Sequence, residues 1–165
     1  MIRMKSKEDI EGIRKSCRLL AKTFAMLGPL VIAGATGLEL DRIAQEFIRK
    51  HGGKPAFLGY DGFPNALCIS VNDAVIHGIP SKRPFLPGDL VGIDCGISLG
   101  GYISDAAYTY AIGEIPDRLR LLMKTAEESL YLGIAEAKPG NRIHDISRAI
   151  FRHNRKEGFG IVRPY

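Results

Sequence analysis

The chain has 165 residues, of which 45% are hydrophobic and 25% charged, enough for one ordinary domain with a sizeable core. Its net charge of +5 is spread through helical segments such as Arg14-Lys15 and Arg152 to Lys156. That is the pattern of a solvated face, and it argues against a specific nucleic-acid footprint. No stretch approaches the roughly 18 apolar residues of a membrane span, and the charged start MIRMKSKEDIEGIRKS has no apolar region of the signal-peptide kind. Cys17, Cys68 and Cys95 have no CxxC spacing and read as free thiols of a reducing cytosol.

Ser6-Lys7-Glu8-Asp9 resembles a capping box and opens a helix. Ile10, Ile13, Cys17, Leu20, Phe24 and Leu27 recur at helical spacing, and the helix is expected to run to Leu27 and to resume through Val31-Ile32. Thr36-Gly37-Leu38-Glu39 is a second capping box. It starts a helix with Leu40, Ile43, Ala44, Phe47 and Ile48 inward, which stops at Gly52-Gly53. A turn-rich stretch, Phe57 to Asn65, holds three aromatics among glycines. Ala66 to Val71 reads as a strand, Asn72-Asp73 as a turn, and Ala74 to His77 as a short strand ended by Gly78-Ile79-Pro80. Ser81 to Pro87 is a loop. A third helix starts at Pro116-Asp117, with Leu119, Leu122, Met123, Ala126, Leu130 and Ile134 as its stripe. A fourth runs from Asn141 to Gly158, with Ile143, Ile146, Ala149 and Ile150 inward.

Between Pro87 and Gly113 lies a predicted hairpin carrying Asp94 and Asp105, with Leu99-Gly100-Gly101 as its turn signal. If Leu99-Gly100 is the turn, the aspartates oppose each other. If Gly100-Gly101 is the turn, they are diagonal neighbours. Both registers put them on one face, because strand side chains alternate with period two. Two carboxylates that close need a cation or a shared proton. One reading is therefore a metal site, for two metals. The other is that one Asp caps a turn and its partner is solvated.

At an offset of 106 residues the chain echoes itself: Gly34 with Gly140, Arg42 with Arg148, Gly52 with Gly158. The order helix, glycine-bearing connector, helix occurs twice. We read residues 1–165 as a single domain, with 1–115 a first half and 116–165 the helical part of a second. Ile161-Val162 is then expected to begin a strand, and the parent protein to be longer.

The runs GYDGFPNALCISVNDAVIHGIP and GDLVGIDCGISLGGYISDAAYT resemble type I methionine aminopeptidase. N-x4-HGIP followed by D-x10-D, seventeen residues after the His, is a specific combination. The resemblance extends over the chain, to KEGFGIVRPY at its end. It implies an α+β, pita-bread fold, an antiparallel sheet with helices on its outer face, of which about one and a half of two pseudo-symmetric halves are expected. It implies hydrolytic removal of the initiator methionine from nascent polypeptides by a cytoplasmic enzyme, monomeric when complete and ribosome-associated. Two divalent metals (Co, Mn, Fe or Zn) are implied, held by two Asp, one His and two Glu. Asp94 would chelate one metal and Asp105 bridge both. His77 would hydrogen-bond the substrate near the scissile amide. Phe57, Tyr60, Phe63 and Cys68 would line the methionine pocket, and a monovalent cation would sit by Asn72 and Ala74. The implied His, in a G-H-G motif, and both Glu lie beyond the segment matching Val162 to Tyr165. Gly96 and Ala106 stand where relatives often carry hydroxyl residues, which is expected to weaken support for the aspartates. The alternative function is a catalytically inactive half-domain that binds a partner or self-associates through an unpaired sheet edge.

Overall fold

Helix α1 (Lys7–Leu27) begins where its capping box requires. The Ser6 hydroxyl accepts from Asp9 N at 3.1 Å, and the Asp9 carboxylate accepts from Ser6 N at 2.9 Å. The two bonds satisfy donors that a helix start leaves open. The buried line is Ser16, Leu19, Leu20, Thr23 and Leu27. Cys17 and Ile10, expected inward, are exposed. A polar residue takes the inward place because it has partners there: the Ser16 hydroxyl bonds Ile97 O at 3.1 Å and Ser104 Oγ at 2.8 Å. The helix does not resume at Val31-Ile32; a 3₁₀ turn at Gly28–Leu30, with Pro at its start, ends it. Helix α2 (Gly37–Lys50) is capped by Thr36, whose N–H donates to the Glu39 carboxylate at 3.0 Å. The computed structural model describes residues 4–162.

The sheet is antiparallel, with β1 (Lys54–Pro55), β2 (Leu67–Val71), β3 (Leu90–Leu99) and β4 (Tyr102–Ala111). Strands β1 and β2 lie end to end along one edge of β3, and β4 covers the other. Alternation divides the faces. Val91, Ile93, Cys95 and Ile97 are all 0% exposed and join Leu19, Leu20, Leu27, Leu40, Ala44 and Ile48 in the core. The next residues along β3, Gly92, Asp94 and Gly96, face the other way.

Residues Ala74 to His77 are not the expected strand. Asn72 and His77 both have φ 56, and Gly78 N donates to Ser70 Oγ at 3.1 Å while Gly78 O accepts from Ile69 N at 2.8 Å. Ala74 N also donates to Val71 O at 3.2 Å, so the loop is held to β2 at Ala74 and at Gly78 and has no ladder of its own.

The chain divides into two units, Met1–Glu114 and Ile115–Tyr165. The second holds α3 (Asp117–Glu136) and α4 (Ile143–Lys156). On α3 the buried positions are Thr125, Ser129 and Gly133, while Leu122, Leu130 and Ile134 of the expected stripe are exposed. Small residues are buried because the helices approach closely there. A Cβ on Gly133 would lie 2.9 Å from Ile150 Cδ1. Ile143, expected inward, is 82% exposed. Ile161 and Val162 lie in no strand; Arg163 to Tyr165, which belong to the resembling segment, fall outside the described residues.

The second helices of the two units end on matching backbone bonds. Gly53 N donates to Ile48 O at 3.0 Å, as Phe159 N does to Asn154 O at 2.9 Å. Gly52 (φ 78) and Gly158 (φ 76) close them alike. No helix among the described residues is long and apolar enough to cross a membrane.

Candidate active site

The hairpin turn is Gly100-Gly101, with φ 59 and 84, and Leu99 pairs with Tyr102. Two successive positive φ values give the turn whose twist matches the strands. Asp94 therefore stands opposite Ala107, and Asp105 opposite Gly96. The carboxylates share a face as diagonal neighbours, with backbones about 7–8 Å apart, and are not directly opposed. On the other side of β3, Cys68 stands opposite Asp94.

Gly96 has a specific use. A Cβ there would lie 2.5 Å from Phe57 Cε1 and 3.1 Å from Ala56 Cβ. The Phe57 ring thus fills the place of the absent side chain, next to Asp105. The loop after it curls on itself through Tyr60 N to Phe57 O (2.9 Å), Phe63 N to Tyr60 O (2.8 Å) and Gly59 N to Phe63 O (2.8 Å). Gly59, Asp61 and Gly62 all take positive φ, which lets the loop close so tightly.

One cavity of about 740 Å³ is lined by Phe57, Tyr60, Phe63, Cys68, His77, Asp94 and Asp105, the seven residues expected to bind metal or substrate, while Asn72 and Ala74 of the expected monovalent-cation site are not among its lining. Its size and largely apolar lining suit a small ligand. Asp61, Ile79 and Ile103 line it as well, and the sequence reading did not name them. Ile103 had a usable signal, since it lies two residues from Asp105 on the same face. Asp61 had none, because its orientation depends on the left-handed loop.

Burial, and then the neighbouring charge of Asp105, push the Asp94 carboxyl up to about 6, with His77 and the Cys95 backbone opposing. Burial and the two aspartates likewise push Cys68 up to about 11 and Cys95 up to about 12. Asp94 Oδ1 is buried with no hydrogen-bond partner. A buried acceptor left unpaired beside a second carboxylate is costly, and a cation would relieve both problems. The pair therefore fits a divalent metal as two of its ligands. Among the described residues no three or more His, Cys, Asp or Glu side chains are placed so that they could hold one metal ion together. His153, one of the later histidines, instead bonds Glu128 at 3.1 Å.

An antiparallel sheet with paired helices against one face and two carboxylates of its own hairpin on the other is the architecture of the pita-bread hydrolases. Residues 11–165 match the model of metallopeptidase family M24, and the chain belongs to that family. It is 48% identical over 164 residues to the methionine aminopeptidase of Borreliella burgdorferi, covering 99% of this chain and 65% of that protein. Identity to the methionine aminopeptidase of Clostridium perfringens is 45%, over 100% of this chain and 66% of the relative. The crystal structure of methionine aminopeptidase from Thermotoga maritima superposes with a TM-score of 0.97 at 36% identity, covering 100% of this chain and 67% of that one. The chain thus spans about 65% of the length of the first of these relatives.

Proposed function

We propose that this chain carries the substrate pocket and two metal ligands of a methionine aminopeptidase. The observation that carries the reading is the single cavity into which three separate segments bring the aromatic loop, His77 and the aspartate pair. Phe57, Tyr60, Phe63 and Cys68 offer an apolar, polarisable lining, which suits an unbranched thioether. His77 stands at the same cavity with a ring that can hydrogen-bond the peptide amide. Asp94 and Asp105 would hold divalent metal, which when bound would lower the pKa of water and polarise a carbonyl. The substrate is the N-terminal methionine of nascent polypeptides, met in the cytoplasm and near the ribosome. Asn72 and Ala74 provide the place for a monovalent cation.

The test is equilibrium dialysis of the folded chain against Mn(II) and Co(II), with Asp94→Ala and Asp105→Ala beside it. Release of methionine from Met-Ala-Ser is then measured with the chain completed by the remaining third of a relative. Metal uptake lost in both variants, and methionine release that depends on both aspartates, is the expected result. Uptake or turnover indifferent to either substitution overturns the ligand assignment.

A second reading, an inactive module that self-associates or binds a partner, is favoured by the β4 edge. That strand pairs only with β3 among the described residues, with Ile103 62% and Tyr108 52% exposed. Sedimentation velocity decides it: a concentration-dependent dimer with no metal uptake supports this reading, and a monomer that takes up metal removes it.

A further inference from the structure

Asp41 lies on α2, away from the aspartate pair, and is 3% exposed. Its carboxylate accepts four hydrogen bonds. Ala66 N at 2.8 Å and Leu67 N at 2.9 Å donate to Oδ1. Gln45 Nε2 at 2.8 Å and Asn65 Nδ2 at 2.9 Å donate to Oδ2. Three of the four donors belong to consecutive residues, 65 to 67. That is the junction where the aromatic loop passes into β2, one residue before Cys68.

The sheet leaves this junction without a backbone partner. Extending the β2–β3 register by one residue would set Ala66 opposite Gly96. Gly96 O already accepts from Ala56 N at 2.8 Å, because β1 takes over the edge of β3 there. The aromatic loop leaves the sheet at this break and returns to it. Asp41 supplies the acceptors that the ladder does not, and fully used charged acceptors of this kind are strong. The helix thereby fixes the start of β2, where Cys68 stands beside Asp94, and the closing end of the loop.

We infer that Asp41 is a positioning residue for the cavity: it holds the loop-to-strand junction so that the aromatic loop closes over the floor on which Cys68 and Asp94 stand side by side. The inference rests on the reading of that cavity as a substrate pocket, but its test does not need turnover.

The assay is the rate at which iodoacetamide modifies Cys68, followed by intact mass, in a Cys17→Ser background. Cys17 is exposed, while Cys68 and Cys95 are buried, and only Cys68 lines the cavity. Asparagine at position 41 keeps one oxygen for the two backbone amides and leaves Gln45 and Asn65 without an acceptor. Asp41→Asn is expected to raise the Cys68 rate about tenfold or more at a temperature where the chain is folded. Ile48→Val, a truncation on the same helix in the core, should stay within about twofold of the parent. Equal rates in Asp41→Asn and the parent, or an equal rise in Ile48→Val, overturn the inference. Should Asp41→Asn fail to fold, Asn65→Ala removes only the loop-side donor; a rise of about threefold is expected, and the parent rate overturns the inference. L-Methionine amide serves as a separate arm. If it does not slow modification of the parent chain, the methionine reading loses support while the comparison of variants still judges Asp41.

Discussion

Asp105→Asn should make the metal-free protein more stable near neutral pH while removing its capacity for metal. Asp94 is pushed from 3.8 up to about 6, first by burial and second by the charge of Asp105. A carboxyl whose pKa is raised in the fold favours folding when protonated. Its contribution is present below about pH 4, the unfolded value, and is lost as pH rises through about 6. The gap of about two pH units corresponds to about 3 kcal/mol at full weight. Asp94 is only half-buried, so solvent screening reduces this to about 1–2 kcal/mol. Removing the Asp105 charge abolishes the second cause and leaves the first, a gain of about 0.5–1 kcal/mol at about pH 7.5. The assay is urea unfolding with a chelator present, parent against variant, from about pH 4 to about pH 8, where the slope m should not change. Taking the difference between the two proteins cancels Asp89, whose carboxyl is held low by the Leu86 N–H and Asn72 and which therefore weakens the fold on acidification. A variant no more stable than the parent at about pH 7.5, or equally favoured at about pH 4, would refute the coupling of the two carboxylates.

Gly78→Ala should cost about 3 kcal/mol or more in urea unfolding, since its Cβ would lie 2.2 Å from the Ile69 carbonyl oxygen, a backbone atom that cannot swing away. Gly96→Thr should drive Phe57 off the sheet at a cost of about 1–3 kcal/mol, and the aromatic near-UV circular dichroism should change with it. An unchanged spectrum would mean that the ring does not seat there. Ser16→Ala should lose about 1–3 kcal/mol, because the Ser104 hydroxyl and Ile97 carbonyl are left buried without their shared partner. His77→Ala, in any preparation that releases methionine, should lower kcat far more than it raises KM; the reverse pattern would make His77 a binding residue only.

Much of the architecture was legible because local signals and tertiary needs agreed. Two capping boxes, with Gly52-Gly53 after the second, set the ends of α1 and α2, and the period-two alternation around Asp94 described the strand on which it lies. The misses share a cause. Ser16 is buried in place of Cys17, and Thr125, Ser129 and Gly133 in place of a leucine stripe. Ser16 wins the inward position through hydrogen bonds to Ile97 and Ser104, and Gly133 through the close approach of Ile150, partners that a local pattern does not reveal. The strand expected at Ala74 to His77 is a loop for a related reason. Ala74, Val75 and Ile76 form a short apolar run of the strand kind, but the left-handed backbone at Asn72 and His77 turns the chain away from any ladder. Within the cavity, residue types at a motif spacing were readable, whereas Asp41 was not. Its partners are two backbone amides and two side-chain amides, groups that leave no mark in a sequence pattern.

The Gly100-Gly101 turn lies well outside the cavity, yet it acts as the ruler for the pair of aspartates. Because both its residues are left-handed, it closes the hairpin in two residues and excludes the alternative pairing. A hairpin closed at Leu99-Gly100 would have set the two aspartates directly opposite, with Cβ atoms about 4.5–5.5 Å apart and the like charges crowded together. The observed closure opens the gap by a diagonal step and makes room for an ion. Spacing at the site is thus adjustable by editing loop residues that touch no ligand, and Gly100 or Gly101 replaced by β-branched residues would test that dependence through metal affinity alone.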